Sequence, residues 1–161
     1  MIFFKKSHNT NLYNTLLHLS RNLYFYTKIN LKDTFETRIY LMFLHFSIIL
    51  IIHKKKREKF DQKIYDYFFH NIENNLRELG FGDVAVNKKM KDLNKILYDI
   101  LLKLETKLTR LPFQINKDII FKYFEHLKNQ NSHKISIFEN YLTKFYDFCF
   151  ELPIENMVKR S

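Results

Sequence analysis

RELGFGDVAVNKKMK, residues 77–91, holds both glycines of a chain of 161 residues, Gly80 and Gly82. A chain that keeps so few glycines concentrates its freedom to adopt positive φ at one point, and that point reads as a sharp turn. Upstream, Phe60, Ile64, Phe68, Ile72, Leu76 and Leu79 recur at the four- and three-residue steps of an amphipathic helix. Downstream, Val86, Met90, Leu93, Leu97, Ile100, Leu104, Leu108 and Leu111 do the same until Pro112 closes the run. Gly80 is expected to end the first helix in a left-handed cap, and Asp83 or Asn87 to cap the second. Two long central helices joined at a Gly-x-Gly turn follow from this reading.

Working towards the N-terminus, the most apolar stretch is IYLMFLHFSIILII, Ile39–Ile52. Asp33 and Glu36 in the preceding DTFE form a reciprocal capping arrangement that starts a helix there. The fourteen apolar residues extend roughly 21 Å as a helix, short of a bilayer core about 30 Å thick. Arg38 bounds them on one side and His53–Lys59 on the other. A central core helix is therefore expected, in preference to a membrane-embedded segment. Further back, Leu12, Leu16, Leu17 and Leu19 fit a short helix capped by Thr10 and ending near Ser20. The aromatic cluster Tyr24, Phe25 and Tyr26 comes next.

Towards the C-terminus, Asn116 is placed to cap a helix carrying Ile119, Ile120, Tyr123, Phe124 and Leu127. Ser132 or Ser136 opens a last helix with Ile135, Phe138, Tyr141, Leu142, Phe145, Phe148 and Cys149 inward, ending before Pro153. No alternating strand pattern, internal repeat or low-complexity linker interrupts the chain. The expected fold is all-α: one domain over residues 1–161, a bundle of about six helices.

Lys and Arg total 27 against 17 Asp and Glu, a net charge of +10. Such a balance favours a partner with an acidic surface: nucleic acid, a ribosome, or the anionic face of a membrane. Scarce Gly, Pro and Trp beside abundant Lys, Asn, Ile, Phe and Tyr also indicate codon bias, which discounts part of that charge. The run Lys54, Lys55, Lys56, Arg57 and Lys59 directly follows the apolar helix and is a candidate contact for an anionic surface, either lipid or RNA phosphate. A solvated loop is the plain alternative. The single cysteine, Cys149, lies in an apolar pattern that suits a buried, inert thiol, and no internal disulfide is available to the chain. The N-terminal MIFFKKSHNTN has no apolar segment leading into a cleavage site and does not read as a secretory signal.

Chemistry-bearing constellations are not evident. The seven histidines, His8, His18, His45, His53, His70, His126 and His133, show no metal-ligand spacing. His45 reads as a hydrogen-bonded core residue. Asp66, Glu73, Glu78 and Asp83 lie near one another, but capping and ion pairing account for them. GFGD lacks the strand and spacing of a phosphate loop. Neither enzyme activity, nor a cofactor, nor a small-molecule substrate is expected.

Taken together, two quoted segments do more. SRNLYFYTKINLKDTFETRIYLMFLH, residues 20–45, followed by RELGFGDVAVNKKMK, resembles the ubiquinol-cytochrome c chaperone family. The family's aromatic-Tyr pair, its D-T-F-D/E segment leading through Arg to an apolar helix with L-H, and its R-E-M/L-G-x-G-D segment with two following basic residues match here as Phe25, Tyr26, Asp33, Thr34, Phe35, Arg38, Leu44, His45, Arg77, Glu78, Leu79, Gly80, Gly82, Asp83, Val86, Lys88 and Lys89. The likeness is strongest over residues 13–111. It does not extend to the lysine run, and in the C-terminal third only the helical character agrees. The resemblance implies a non-enzymatic assembly factor that binds unassembled cytochrome b and assists assembly of the ubiquinol-cytochrome c reductase. The motif residues are its candidate partner-binding set, with the ribosome, an anionic membrane surface or a small protein as further partners. A match beginning near Tyr13 leaves little room for a transit peptide, so the expected location is a bacterial cytoplasm, peripheral to the inner membrane, or the matrix side in a mitochondrion. A basic RNA- or ribosome-associated binding module is the alternative that charge alone supports.

Overall fold

The protein is described by a computed structural model over residues 12–105, 113–129 and 132–152. Its centre is α3, Phe35–Lys55. From Leu41 to Ile49 every residue of this helix is buried, polar Ser47 and His45 included. The short α1, Leu12–Ser20, the long α5, Asp83–Glu105, and the last helix α7, Ser132–Glu151, pack against it. A helix apolar on all sides has no preferred face, and only a surrounding ring of helices can bury it. The core helix read from the sequence is thus observed, with one correction. It is 21 residues long, about 31 Å, because the turn from Phe35 to Arg38 precedes the apolar stretch and His53, Lys54 and Lys55 continue the helix beyond it. By length and composition alone it could cross a membrane; here α1, α5 and α7 take that place.

Between α1 and α3, the aromatic cluster folds into one more turn of helix, α2, Leu23–Thr27, with Asn22 capping Tyr24 N. The sequence gives that turn no periodicity long enough to recognise. Helix α4, Gln62–Glu78, follows α3 and is capped by Asp61. After α5 come α6, Lys117–Tyr123, capped by Asn116 as expected, and a 3-10 segment, Glu125–Asn129. The described residues hold no strand. Six α-helices of seven residues or more, with the five-residue α2 and the 3-10 segment, agree with the all-α bundle read from the sequence.

The corrections are matters of register. Thr34, not Asp33, caps α3, its hydroxyl accepting from Thr37 N at 3.1 Å. The Asp33 carboxylate is taken by the Arg38 guanidinium at 2.7 Å and is not free to cap. Leu79 is exposed rather than core, because α4 already ends at Glu78. In α7 Tyr146 is buried where Phe148 was expected, and Phe148 points outward. Thr10, Leu108, Leu111, Pro112 and Pro153 lie outside the described residues.

Candidate partner-binding site

The turn after α4 shows how the second motif works. Leu79 is the C-cap of α4, and Gly80 follows in the left-handed region at φ 97°. Gly80 N donates to Arg77 O at 3.0 Å and Phe81 N to Leu76 O at 3.3 Å. This pair of bonds is the Schellman pattern, and it satisfies carbonyls the helix end would otherwise leave open. Helix α5 then begins at Asp83, with Val86 N bonded to Gly82 O at 2.9 Å. Gly82 therefore stands at the cap position; Asp83 is the first helical residue, and Asn87 lies a turn inside. Arg77 holds the corner together, reaching Glu73 at 3.1 Å on its own helix and Asp83 across the turn. Ion pairing thus accounts for Glu73 and Asp83, and Asp66 accepts from Gln62.

The first motif divides between core and surface. Phe25 and His45 are fully buried and meet Tyr141 of α7, with ring centroids 5.0 and 5.6 Å from it. His45 Nδ1 lies 2.6 Å from Leu41 O and Nε2 lies 2.7 Å from the Tyr141 hydroxyl. A carbonyl only accepts, so Nδ1 carries the proton and Nε2 accepts from the Tyr141 O–H. Burial pushes the His45 pKa down to about 4, against the Leu41 hydrogen bond that favours the charged form. The ring is neutral at pH 7 and ties α3 to α7, the hydrogen-bonded core histidine expected from the sequence. Tyr26 is half-buried and donates to Ser20 O, fastening α2 to the end of α1. Cys149 is buried, and desolvation pushes its thiol up to about 12, so it stays unreactive as expected.

The two motifs meet at a cleft. Phe35, Glu36, Ile39 and Tyr40 from the first two turns of α3 face Leu76 of α4 and Lys89, Asp92, Leu93 and Ile96 of α5 across a cavity of about 240 Å³. Phe35 and Lys89 are half-buried in its walls. Lys89 also lies over the Phe81 ring, 4.9 Å from its centroid. Apolar walls with one cation and two carboxylates at the rim suit an apolar segment of another chain bearing a few polar groups. Of the motif residues, Phe35 and Lys89 line this cleft. Asp33, Arg38, Arg77 and Asp83 close ion pairs, Thr34, Gly80 and Gly82 shape helix ends, and Glu78 and Lys88 are exposed. Ile39, Tyr40, Asp92 and Ile96 complete the cleft, yet the sequence did not single them out for a site. Their helical spacing was visible, but which faces oppose each other depends on how α3 and α5 cross.

Behind Tyr40 lies a charged cluster that sequence reasoning missed. Asp99 accepts from Lys103 and Lys122, each at 3.0 Å, and from the Tyr123 hydroxyl. Burial raises the Asp99 pKa, but these hydrogen bonds together outweigh it and bring the carboxyl down to about 2. The Tyr123 ring meets Tyr40 at 5.2 Å, so the cluster braces one wall of the cleft.

The lysine run is less open than its sequence suggests. Lys54 pairs with Glu105 at 3.2 Å. Lys55 lies over the Tyr146 ring at 5.8 Å. Lys56 donates to Leu152 O at 2.9 Å and lies over Phe150 at 4.9 Å. Arg57, Glu58 and Lys59 are exposed.

Among the described residues no group of His, Cys, Asp and Glu is arranged to hold a metal ion. An all-α bundle with a small cleft between α3, α4 and α5 is the class of protein the fold defines. A family model described as Ubiquinol-cytochrome C chaperone matches residues 27–131, and the chain belongs to that family. The match starts just after Phe25 and Tyr26 and reaches α6 and the 3-10 segment, further towards the C-terminus than the motifs alone indicated. Neither a curated protein nor a solved structure matches this chain. Membership supports an assembly-factor role and a chaperone's non-enzymatic mode of action.

Proposed function

We propose that the protein holds newly made cytochrome b while the ubiquinol-cytochrome c reductase is assembled, working in a bacterial cytoplasm at the face of the inner membrane. The observation that carries this reading is the cleft. Within the matched region, the family's two separated motifs contribute Phe35 and Lys89 to one cavity with apolar walls. A client that belongs in a membrane exposes apolar helix surface before it is assembled, and a cleft with few polar groups covers such surface without demanding a fixed sequence. No chemical step is assigned to any residue. The alternative reading, an RNA- or ribosome-bound module, took its support from the lysine run, three of whose cations are engaged within the chain.

Deleting the gene should lower assembled cytochrome b, measured by its haem absorbance in membranes. A Phe35→Ser, Lys89→Glu double variant that folds normally should fail to restore it. Unchanged haem absorbance in the deletion strain would sink the proposal.

A further inference from the structure

Helix α5 has a second face that the cleft does not use. Its buried positions Val86, Leu97, Ile100 and Leu104 point at the bundle. On the opposite side stand Val84, Lys88, Lys91, Lys95, Tyr98 and Leu102, all exposed. With about 100° between successive residues, these six fall within an arc of about 80° along about 27 Å of helix. The apolar members are unusually bare: Val84 is 85%, Tyr98 61% and Leu102 63% exposed.

We propose that this stripe lies on an anionic phospholipid bilayer. Charge complementarity is the first argument. Lys88, Lys91 and Lys95 have no ion-pair partner among the described residues, while three of the carboxylates of this helix are engaged elsewhere. Asp83 is held by Arg77, Asp99 by Lys103 and Lys122, and Glu105 by Lys54. Asp92 is the exception: it lines the edge of the cleft but stays exposed beside the stripe, one turn after Lys88. The stripe thus presents net positive charge, three lysines against the one neighbouring carboxylate of Asp92. The second argument is the placement of the apolar residues, which bracket the lysines at both ends. A straight helix can set Val84 and Leu102 among acyl chains while the flexible lysine stems reach the headgroup phosphates. RNA would use the lysines but gains nothing from two aliphatic ends, and one tyrosine is a poor stacking platform. The cleft, opening on another face of α5, remains available to a client emerging at the same surface. This inference rests on the preceding proposal for its place of work, but the vesicle experiment contains no client, so its failure leaves client binding standing.

The test is co-sedimentation with vesicles of phosphatidylcholine containing phosphatidylglycerol, and with pure phosphatidylcholine. The protein should sediment with the first and remain in solution with the second. The K88Q/K91Q/K95Q variant should lose about a hundredfold in partition, at about fivefold per lysine. V84S/L102S should lose roughly tenfold or more on the same vesicles. K54Q/K55Q/K59Q removes equal charge from the other basic region and should bind within a few-fold of wild type. Wild-type protein that stays in solution with anionic vesicles overturns the inference. So does an equal loss in the two lysine triples, which would make the binding a matter of net charge. So does RNA binding that needs the α5 lysines, if V84S/L102S leaves vesicle partition intact.

Discussion

The end of α3 and the end of α4 close with the same hydrogen bonds and different residues. At the end of α4, Gly80 takes the left-handed position, with bonds from Gly80 N to Arg77 O and Phe81 N to Leu76 O. At the end of α3 that position belongs to Arg57, φ 57°, with bonds from Arg57 N to Lys54 O and Glu58 N to His53 O. A glycine adopts this conformation without strain, whereas an arginine must accept a steric cost near its Cβ. Something else therefore holds the α3 corner. His53 is buried beneath it, bonded to Ile49 O at 2.9 Å and edge-on to Phe60 at 5.1 Å. Lys54, Lys55 and Lys56 anchor it outward to α5 and α7. One corner is set by local backbone preference, the other by contacts with distant helices.

Replacing the glycine gives the largest effect. Gly80→Val places a β-branched residue at φ 97°, where an added Cβ meets no neighbouring atom within 4 Å, so the whole cost is backbone strain. It should destabilise by about 1–2 kcal/mol, a fall of several degrees in melting temperature for a chain of this size. Gly82→Ser, at a position without positive φ that caps α5, should be neutral or slightly stabilising, since serine is a preferred cap residue. An unchanged melting temperature in Gly80→Val would mean that the corner is not left-handed and that the contrast with Arg57 is void.

The reverse substitution is the next test. Arg57→Gly relieves strain of about 1–2 kcal/mol and adds unfolded-chain entropy of about 0.4–1 kcal/mol. A net gain of about 0.5–1 kcal/mol should appear as a higher midpoint in urea unfolding at unchanged slope. A lower midpoint would mean that the arginine side chain itself holds the corner.

These corners also mark where sequence reading stops. The Gly80 turn, the helices on either side of it and the buried α3 were legible because glycine scarcity and apolar period are local signals. The Arg57 corner was not, since nothing in HKKKREK marks a left-handed residue; tertiary anchoring replaces the missing glycine there. The same limit applied to the cap of α3, where Asp33 was the expected cap; Arg38 pairs with that aspartate, and Thr34 caps in its place. At the cleft, Phe35 and Lys89 stood out as motif residues, but that they share a cavity follows from the packing of α3 on α5. The lysine run looked the more open basic surface because its charges are consecutive. Spaced along a helix, Lys88, Lys91 and Lys95 align only once α5 forms.

The smallest effects separate the anchors of the α3 corner from one another. Lys56 is half-buried, bonded to a main-chain carbonyl near the end of α7 and set over the Phe150 ring, so two contacts and a packed stem depend on it. Lys56→Ala should cost about 0.5–1.5 kcal/mol, since a hydrogen bond to a carbonyl and a cation over a ring are each worth about that much or less. Lys54 is paired with Glu105 at 3.2 Å, but its side chain is 73% exposed. Water and salt screen such a pair, so Lys54→Gln should change stability by less than about 0.5 kcal/mol and should lose even that in high salt. Thermal melts of both variants at low and high salt give the ordering directly. If Lys54→Gln costs more than Lys56→Ala, the corner is held by the α5 ion pair, and the packing against α7 is incidental to it.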